Sequence, residues 1–307
     1  MKEKIFTKGN ARKKVDAVTI SRRKFLQVAG ITTATLALNP VGKAGAQPAV
    51  VSDRGAAGNP EVKGMLIDIT KCIGCGICST ACQEQNGLHS TQNEKLDDET
   101  WTVLKSVEVD IEGKKENRFV RHQCFHCLDP ACASACLVGA LEKTPEGAVI
   151  YDGDKCMGCR YCMIACPFGI PKYQWESPFT LVRKCIFCHE RLKAGEAPAC
   201  ASVCPTQATL FGSREELVEE AIARIQSNPE KYVPHVYGLE EVGGTSIMYL
   251  SDVPFEELGF PTDVGTRPLS EYTWMALSKV PAVVVGGALV LGAAYKLSKD
   301  RGEENEA

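Results

Sequence analysis

The 307-residue sequence lacks the glycine-rich loops that hold nucleotide phosphates, since neither GxGxxG nor GxxxxGK occurs in it. It also lacks a recognisable arrangement of serine, histidine and carboxylate, a catalytic carboxylate pair, or an open metal site. These absences predict that the protein is not itself an enzyme.

Positive charge is scarce beyond the N-terminal segment. Residues 1–46 carry ten Lys and Arg against two Asp and Glu, whereas the remainder carries 25 against 36, a net charge of -11. So acidic a body would repel nucleic-acid phosphates, which excludes nucleic acid as a partner. With 44% apolar residues, the chain has ample material for the core of one large or two small domains.

Residues 1–46 contain the three regions of an export signal in the expected order. A long basic stretch precedes "SRRKFL" at residues 21–26, a mildly apolar run covers Val28 to Leu38, and Ala44-Gly45-Ala46 fits a cleavage site. The arginine pair Arg22-Arg23 is typical of the twin-arginine route to the periplasm. The alternative is a basic amphipathic helix at the start of a cytosolic protein.

One long apolar run lies near the C-terminus. Val280 to Tyr295 are sixteen uncharged residues, about 24 Å of helix, and extension to residues 273–297 gives a length that crosses the hydrocarbon core of about 30 Å. Lys296, Lys299 and Arg301 follow it and place the tail, residues 298–307, on the cytoplasmic side. This segment predicts a transmembrane anchor, with a buried helix as the alternative.

The sixteen cysteines fall into four groups of four. Group one is Cys72, Cys75, Cys78 and Cys82; group two is Cys124, Cys127, Cys132 and Cys136; group three is Cys156, Cys159, Cys162 and Cys166; group four is Cys185, Cys188, Cys200 and Cys204. Groups one and three share one pattern, and groups two and four share the tail "PACAS" before a final cysteine. This A-B-A-B order indicates a duplicated unit of two groups.

The spacing CxxCxxCxxxC followed by proline, as at Pro167, is the signature of bacterial ferredoxins, in which three cysteines bind one [4Fe–4S] cluster and the fourth binds its neighbour. Zinc needs only four ligands, typically from two separated CxxC pairs. Disulfides between cysteines three residues apart are redox-active and poor structural links. The spacing therefore favours iron–sulfur clusters over zinc or disulfides.

Short strands and helices are expected around the cysteines. Strands are predicted in "GMLIDIT" (64–70), in "AVIYDG" (148–153), in a hairpin around Gly113 and at residues 245–250. A helix is predicted from Ser213 to Asn228, with Ser213 and Glu216 as a capping box. The predicted fold class is α+β: a duplicated bacterial-ferredoxin-like cluster domain (64–212), a helix plus a loop-rich extension (213–272), and a single C-terminal transmembrane helix.

The motifs "KCIGCGICSTACQ", "HQCFHC", "KCMGCRYCMIACPFGIPKY" and "RKCIFCHERLKAG" resemble those of a known family. It comprises the four-cluster iron–sulfur subunits that serve molybdopterin oxidoreductases, formate dehydrogenases and membrane-bound hydrogenases. The similarity covers nearly the whole chain and is greatest to the subunits of periplasmic hydrogenases of the hydrogenase-2 type.

The resemblance implies a ligand arrangement in which group one is paired with group four, and group two with group three. Since no cysteine is replaced, it implies four [4Fe–4S] clusters. The implied ligand sets are Cys72, Cys75, Cys78 and Cys204; Cys82, Cys185, Cys188 and Cys200; Cys124, Cys127, Cys132 and Cys166; and Cys136, Cys156, Cys159 and Cys162.

Other polar residues beside the cysteines have no ligand role in this interpretation. His126 and His189 shape the surroundings of the clusters, because every group already has four cysteines. Four basic residues either raise cluster potentials or offset the acidic surface: Arg160, Arg183, Lys184 and Arg191.

The resemblance implies a non-catalytic electron-transfer subunit at the periplasmic face of the cytoplasmic membrane. Its expected partners are a catalytic oxidoreductase subunit, a NiFe hydrogenase in the first place, and an integral membrane quinone-reactive or cytochrome subunit. The alternatives are the β subunit of a respiratory formate dehydrogenase or another molybdopterin oxidoreductase, and a soluble polyferredoxin. An enzyme such as a ferredoxin-type reductase is the hypothesis from a different class.

Overall fold

The structure is a computed structural model that describes residues 62–89, 94–111, 113–176 and 181–305. The predicted export signal, residues 1–46, and the last two residues of the predicted tail lie outside this described part.

A three-stranded sheet lies at the centre of the protein. Its strands are β1 (Lys63–Asp68), β8 (Thr209–Ser213) and β9 (Ile247–Leu250), in the order β8-β1-β9. Strand β1 pairs antiparallel with β8 and parallel with β9. Met65, Leu66 and Ile67 are all buried, so both faces of β1 are covered. The strands predicted at 64–70 and 245–250 are confirmed, although β1 ends at Asp68, where a 3-10 turn begins.

The hairpin predicted around Gly113 is confirmed. It consists of β2 (Val103–Ile111) and β3 (Lys114–His122), which pair antiparallel along their whole length. Gly113 has a φ of +81°, and its N–H donates to Asp110 Oδ1 at 2.8 Å. A left-handed turn of this kind favours glycine, which explains why the hairpin turns here.

Two smaller antiparallel pairs follow. Strand β4 (Leu141–Lys143) pairs with β5 (Val149–Tyr151), and β6 (Lys172–Tyr173) pairs with β7 (Val182–Arg183). The strand predicted in "AVIYDG" corresponds to β5 and is confirmed.

Short helices carry many of the cysteines. They are α1 (Ile77–Asn86), α2 (Ala131–Ser134), α3 (Tyr161–Ala165), α4 (His189–Lys193) and α5 (Ala199–Ser202). Helix α1 packs against α5, and α2 packs against α3. The chain therefore brings cysteine group one to group four, and group two to group three.

The helix predicted from Ser213 is α6 (Arg214–Ser227), and Leu217 and Ala221 are buried on its inner face. The predicted capping box is wrong, because the Ser213 side chain makes no capping hydrogen bond. Ser213 is also the last residue of β8, and the N–H of Arg214 already donates to Val62 O at 2.9 Å. A backbone carbonyl thus satisfies the first helical N–H, whereas a capping serine would accept from the second or third.

Residues after α6 pack into the core as well as forming loops. Four aromatic residues of this segment form a cluster of ring contacts that includes Phe125: Tyr237, Tyr249, Phe255 and Phe260. The ring centroids of Tyr237 and Phe260, for example, lie 4.7 Å apart. The predicted boundary between residues 212 and 213 falls at the end of β8, and the central sheet continues across it through β9. The extension therefore contributes to the core around the cysteine groups.

Helices α7 (Leu269–Leu277) and α8 (Val280–Asn305) end the described part of the chain. Residues 269–296 are long and apolar enough to cross a membrane, with a mean hydropathy of 1.8, and none of that apolar window is buried. This apolar run is therefore not buried within the described part of the protein itself. Helix α7 lies against α2, beside cysteine group two.

Candidate metal centres

The four cysteine loops share a backbone feature. The residue that precedes the second cysteine has a positive φ in every group: Gly74 (+73°), His126 (+50°), Gly158 (+71°) and Phe187 (+60°). A left-handed residue at this point turns the loop back on itself, so that its thiols face a common centre. At Gly74 the space also requires glycine, since a Cβ there would lie 2.5 Å from the Phe119 ring.

His126 and Phe187 adopt the same conformation without being glycine, and their surroundings hold them. His126 Nδ1 accepts a hydrogen bond from the Val149 N–H at 2.9 Å. The His126 and Phe187 rings stack with centroids 4.8 Å apart. Burial first, and then the charges of Lys184 and Lys143, hold the His126 pKa well below its usual value, so that the ring is neutral. His126 therefore stabilises its own cysteine loop, and its predicted influence on the surroundings of a cluster stays a prediction.

One set of four cysteines surrounds a cavity at the surface. Set A is Cys72, Cys75, Cys78 and Cys204, which line a surface cavity together with Phe119 and Arg121. Partial burial raises the pKa of the Cys204 thiol, but hydrogen bonds from Thr209, Thr206 and Ala208 outweigh it and lower that pKa overall. Such hydrogen bonds stabilise a thiolate, the form that binds iron.

A second set surrounds another surface cavity. Set D is Cys136, Cys156, Cys159 and Cys162, which line a surface cavity. Burial first, and then the charges of Cys136, Cys156 and Cys159, raise the pKa of Cys162 to about 11. The Arg160 side chain also lines this cavity and lies 5.1 Å from the ring centroids of Tyr173 and Trp175.

The remaining eight cysteines make up the two other sets that the resemblance implies. Set B is Cys82, Cys185, Cys188 and Cys200, and set C is Cys124, Cys127, Cys132 and Cys166. Burial, followed by the charges of Cys200 and Cys188, raises the pKa of Cys82 to about 12. Burial raises the pKa of Cys127 well above its usual value, and Cys166, Cys124 and Cys132 add to the effect. Each of these two sets therefore concentrates four thiols where thiolates need a positive partner.

The four sets follow one another in the order A, B, C, D. Cys78 of set A is an electrostatic neighbour of Cys200 of set B. Cys124 of set C is a neighbour of Cys185 of set B, and Cys162 of set D is a neighbour of Cys132 of set C. Electrostatic neighbours thus link set A to B, set B to C and set C to D, and surface cavities adjoin sets A and D.

All sixteen cysteines are free thiols in the structure, and within the described ranges no three His, Cys, Asp or Glu side chains converge closely enough to hold one metal ion. The preference for [4Fe–4S] clusters over zinc rests on the spacing of the cysteines along the chain.

Buried polar atoms beside the cysteines test whether the surroundings of the thiols suit a bound iron–sulfur cluster. Several have no hydrogen-bond partner among the described residues: Arg121 Nε, Gln123 Nε2 and Oε1, His126 Nε2, Arg183 Nε and His189 Nδ1. Buried donors nearly always have partners, and the sulfur atoms of a bound cluster would accept hydrogen bonds from the N–H groups among them. The sequence singled out His126, Arg183 and His189 but missed Arg121 and Gln123, although both lie within three residues of Cys124.

The other predicted basic residues have partners within the protein. Lys184 is buried and donates to the carbonyl oxygens of Val149 and Cys185, which places its charge beside the Cys132 and Cys166 thiols. Arg191 donates to Ala197 O at 2.8 Å and forms an ion pair with Glu196. Lys184 is therefore placed to act on a cluster in set C, and Arg191 stabilises its own loop.

Comparisons with known proteins agree with this geometry. Residues 116–214 match the family described as "4Fe-4S dicluster domain". The hydrogenase-2 operon protein HybA of Escherichia coli O157:H7 is 39% identical over 295 residues, which cover 80% of this chain and 89% of HybA. This chain belongs to the same family of iron–sulfur subunits.

Two further relatives extend the family. A protein of Nitratidesulfovibrio vulgaris is 41% identical over 292 residues, covering 91% of this chain and 77% of the relative. The formate dehydrogenase iron–sulfur subunit of Haemophilus influenzae is 36% identical over 251 residues, covering 76% of this chain and 79% of that subunit. As a member of this family the protein carries [4Fe–4S] clusters and is an electron-transfer subunit of an oxidoreductase complex, without catalytic activity of its own.

Proposed function

We propose that sets A, B, C and D each hold one [4Fe–4S] cluster and that electrons pass along them between two partner subunits. The observation that carries this proposal is the succession of electrostatic neighbours from set A through B and C to D, with surface cavities beside A and D. The residues would act as ligands, as hydrogen-bond donors to sulfur and as a dry interior between neighbouring clusters. The clusters supply one-electron redox chemistry.

The proposal includes a duplicated ferredoxin-like architecture of class α+β. One half holds sets A and B around helices α1 and α5, and the other holds sets C and D around α2 and α3. The positive φ at the same loop position in all four groups supports the duplication. The cluster domain corresponds to residues 64–212, which the extension 213–272 supports from the core.

Iron analysis and EPR spectroscopy test the cluster assignment. The full chain, purified anaerobically, is expected to contain about sixteen irons in four [4Fe–4S] clusters, because all four sets have four cysteines. Zinc in place of iron, or the iron of a single cluster, contradicts the assignment.

Exposed apolar side chains concentrate at the two ends of the relay. Beside set A, Ile73 is 61% exposed and Val203 is also exposed; beside set D, Leu137 is 70% and Ile164 84% exposed, with Met157 near them. Large apolar residues on a protein surface mark interaction sites when they cluster. These two surfaces are suited to dock the electron donor and the electron acceptor.

The C-terminal helices indicate which partner docks at which end. Helix α7 lies against α2, in the half that holds sets C and D, and leads directly into the apolar helix α8. An anchor of residues 273–297 would hold this half against the membrane, with residues 298–307 as a cytoplasmic tail. Set D would then face an integral quinone-reactive or cytochrome subunit, and set A a periplasmic catalytic subunit.

A NiFe hydrogenase is the first candidate for the catalytic partner, because HybA, named for hydrogenase-2, is the relative of which this chain covers 89%. A formate dehydrogenase is the second candidate, because relatives at 36% identity are named as its iron–sulfur subunits. The proposal places the protein at the periplasmic face of the cytoplasmic membrane, after twin-arginine export by residues 1–46. Purification of the complex from solubilised membranes, followed by identification of the catalytic subunit, distinguishes the two.

A matched pair of substitutions tests the docking arrangement. Ile164→Glu places a charge at the centre of the set D surface and is expected to weaken binding of the membrane subunit by about 2 kcal/mol, or roughly thirtyfold. Binding of the catalytic subunit should not change. Ile73→Glu should have the reverse effect, and Ile222→Glu, on the outer face of α6, should affect neither.

Co-purification of both subunits with each variant, at unchanged iron content, measures the effect. The same loss from Ile73→Glu and Ile164→Glu, or a loss of the wrong subunit, contradicts the arrangement.

A further inference from the structure

Arg121 is a buried cation without a carboxylate partner. It lies in β3, three residues before Cys124, and is only 3% exposed. None of the ion pairs among the described residues includes it. An unpaired charge in a protein interior is strongly unfavourable, so the folded protein needs a negative group at this position.

The guanidinium of Arg121 faces sulfur atoms. Its Nη2 donates to Met65 Sδ at 3.8 Å, and the side chain lines the cavity of set A. Cys78 of set A and Cys200 of set B are its electrostatic neighbours, so the charge lies between the two sets. Its Nε has no partner among the described residues. One negatively charged acceptor beside the guanidinium would therefore complete both the hydrogen bonding of Arg121 Nε–H and the charge balance of the side chain.

The backbone fixes this position. Tyr249 Oη donates to Arg121 O at 2.8 Å, and Arg121 pairs with Leu104 across the hairpin. Tyr249 itself is fully buried in β9. Because the strand is held in place and the Arg121 side chain is buried, the guanidinium reaches solvent only if the packing around it opens.

We propose that Arg121 sets the reduction potentials of the clusters in sets A and B, by placing a fixed positive charge between them and donating its Nε–H to a cluster sulfur. The inference rests on the proposed ligand sets. Reduction adds one negative charge to a cluster, and a nearby cation and a hydrogen bond to sulfur both stabilise that reduced form. Arg121 thus raises the potentials at the end of the relay that faces the catalytic subunit.

EPR-monitored redox titration of the full chain tests this role. In Arg121→Gln, two of the four midpoint potentials are expected to shift downward, while the other two and the iron content stay as in the wild type. Arg121→Lys, which keeps the charge, should restore most of the shift. Arg118→Gln is the matched control, because Arg118 lies on the same strand but is paired with Asp252 at 2.6 Å; all four potentials should be unchanged.

Each other outcome is decisive. Four unchanged potentials in Arg121→Gln, or an equal shift of all four, overturn the role of Arg121 while leaving the ligand sets intact. If Arg121→Gln loses iron, Arg121→Lys with full iron and nearly native potentials supports the proposal, whereas iron loss in both variants assigns Arg121 to cluster assembly and overturns it. Less iron than four clusters need in the wild-type chain instead contradicts the proposed function.

Discussion

Cys166→Ser is expected to remove the cluster of set C and leave that of set D, although Cys166 belongs to the same sequence group as Cys162. Its thiol lies with Cys127 and Cys124, across the contact between α2 and α3. The variant should lose up to about four irons, the content of one cluster. Because set C lies between B and D, electron transfer from the catalytic partner to quinone should be lost as well.

Double variants show which cysteines share a cluster. Cys166→Ser combined with Cys162→Ser should lose about twice the iron of either single variant, since the two residues are assigned to sets C and D. Cys136→Ser combined with Cys162→Ser is the matched control and should lose no more iron than one of them alone, because both belong to set D. The reverse pattern would show that each sequence group binds its own cluster.

Removal of the C-terminal helices is the second change with a large expected effect. A chain that ends at Pro268 should be released from the membrane by carbonate extraction, whereas the full chain should remain in the pellet. Residues 269–296 expose Val283 and Leu291 by 70% and 71%, surface that a lipid environment would cover. Insertion of a spanning helix is effectively irreversible compared with surface binding.

The truncation removes α7 and its contact with α2 but keeps all sixteen cysteines and the three-stranded sheet. A chain ending at Pro268 keeps the hydrogen bond that the Val242 N–H donates to Gly265 O at 2.8 Å, so the iron content should not change. A chain ending at Lys296 serves as the control and should stay in the membrane. Release of the full chain by carbonate would instead support the soluble polyferredoxin hypothesis.

Local elements were predictable where a single segment contains the whole signal. The β2–β3 hairpin follows from alternating apolar residues on either side of Gly113, and α6 follows from an apolar face of helical period. The capping box failed, and Ser213 instead ends β8 opposite Lys63, a partner 150 residues away in the sequence. A strand partner that lies so far away in the sequence cannot be predicted from the residues around the helix start.

The same difference separates two properties of the cysteine ligands. Their spacing within a group is local in the sequence, whereas the pairing of the fourth cysteine with another group is not. The spacing within each cysteine group predicts clusters, because a CxxCxxC loop by itself brings three thiols to one centre. The partner of the fourth cysteine came only from family resemblance. In the structure it depends on the packing of α1 against α5 and of α2 against α3, which no local periodicity encodes.

The sequence by itself determined the cofactor class, the repeat of four cysteine groups and the apolar C-terminal segment, because each depends only on residue types at short spacings along the chain. Only the tertiary structure decided which cysteine groups are neighbours, which cysteines line surface cavities and the burial of Arg121 beside Cys78 and Cys200. These features arise where segments that are far apart in the sequence pack against one another across the central sheet and the helix pairs. A local sequence pattern does not contain that information.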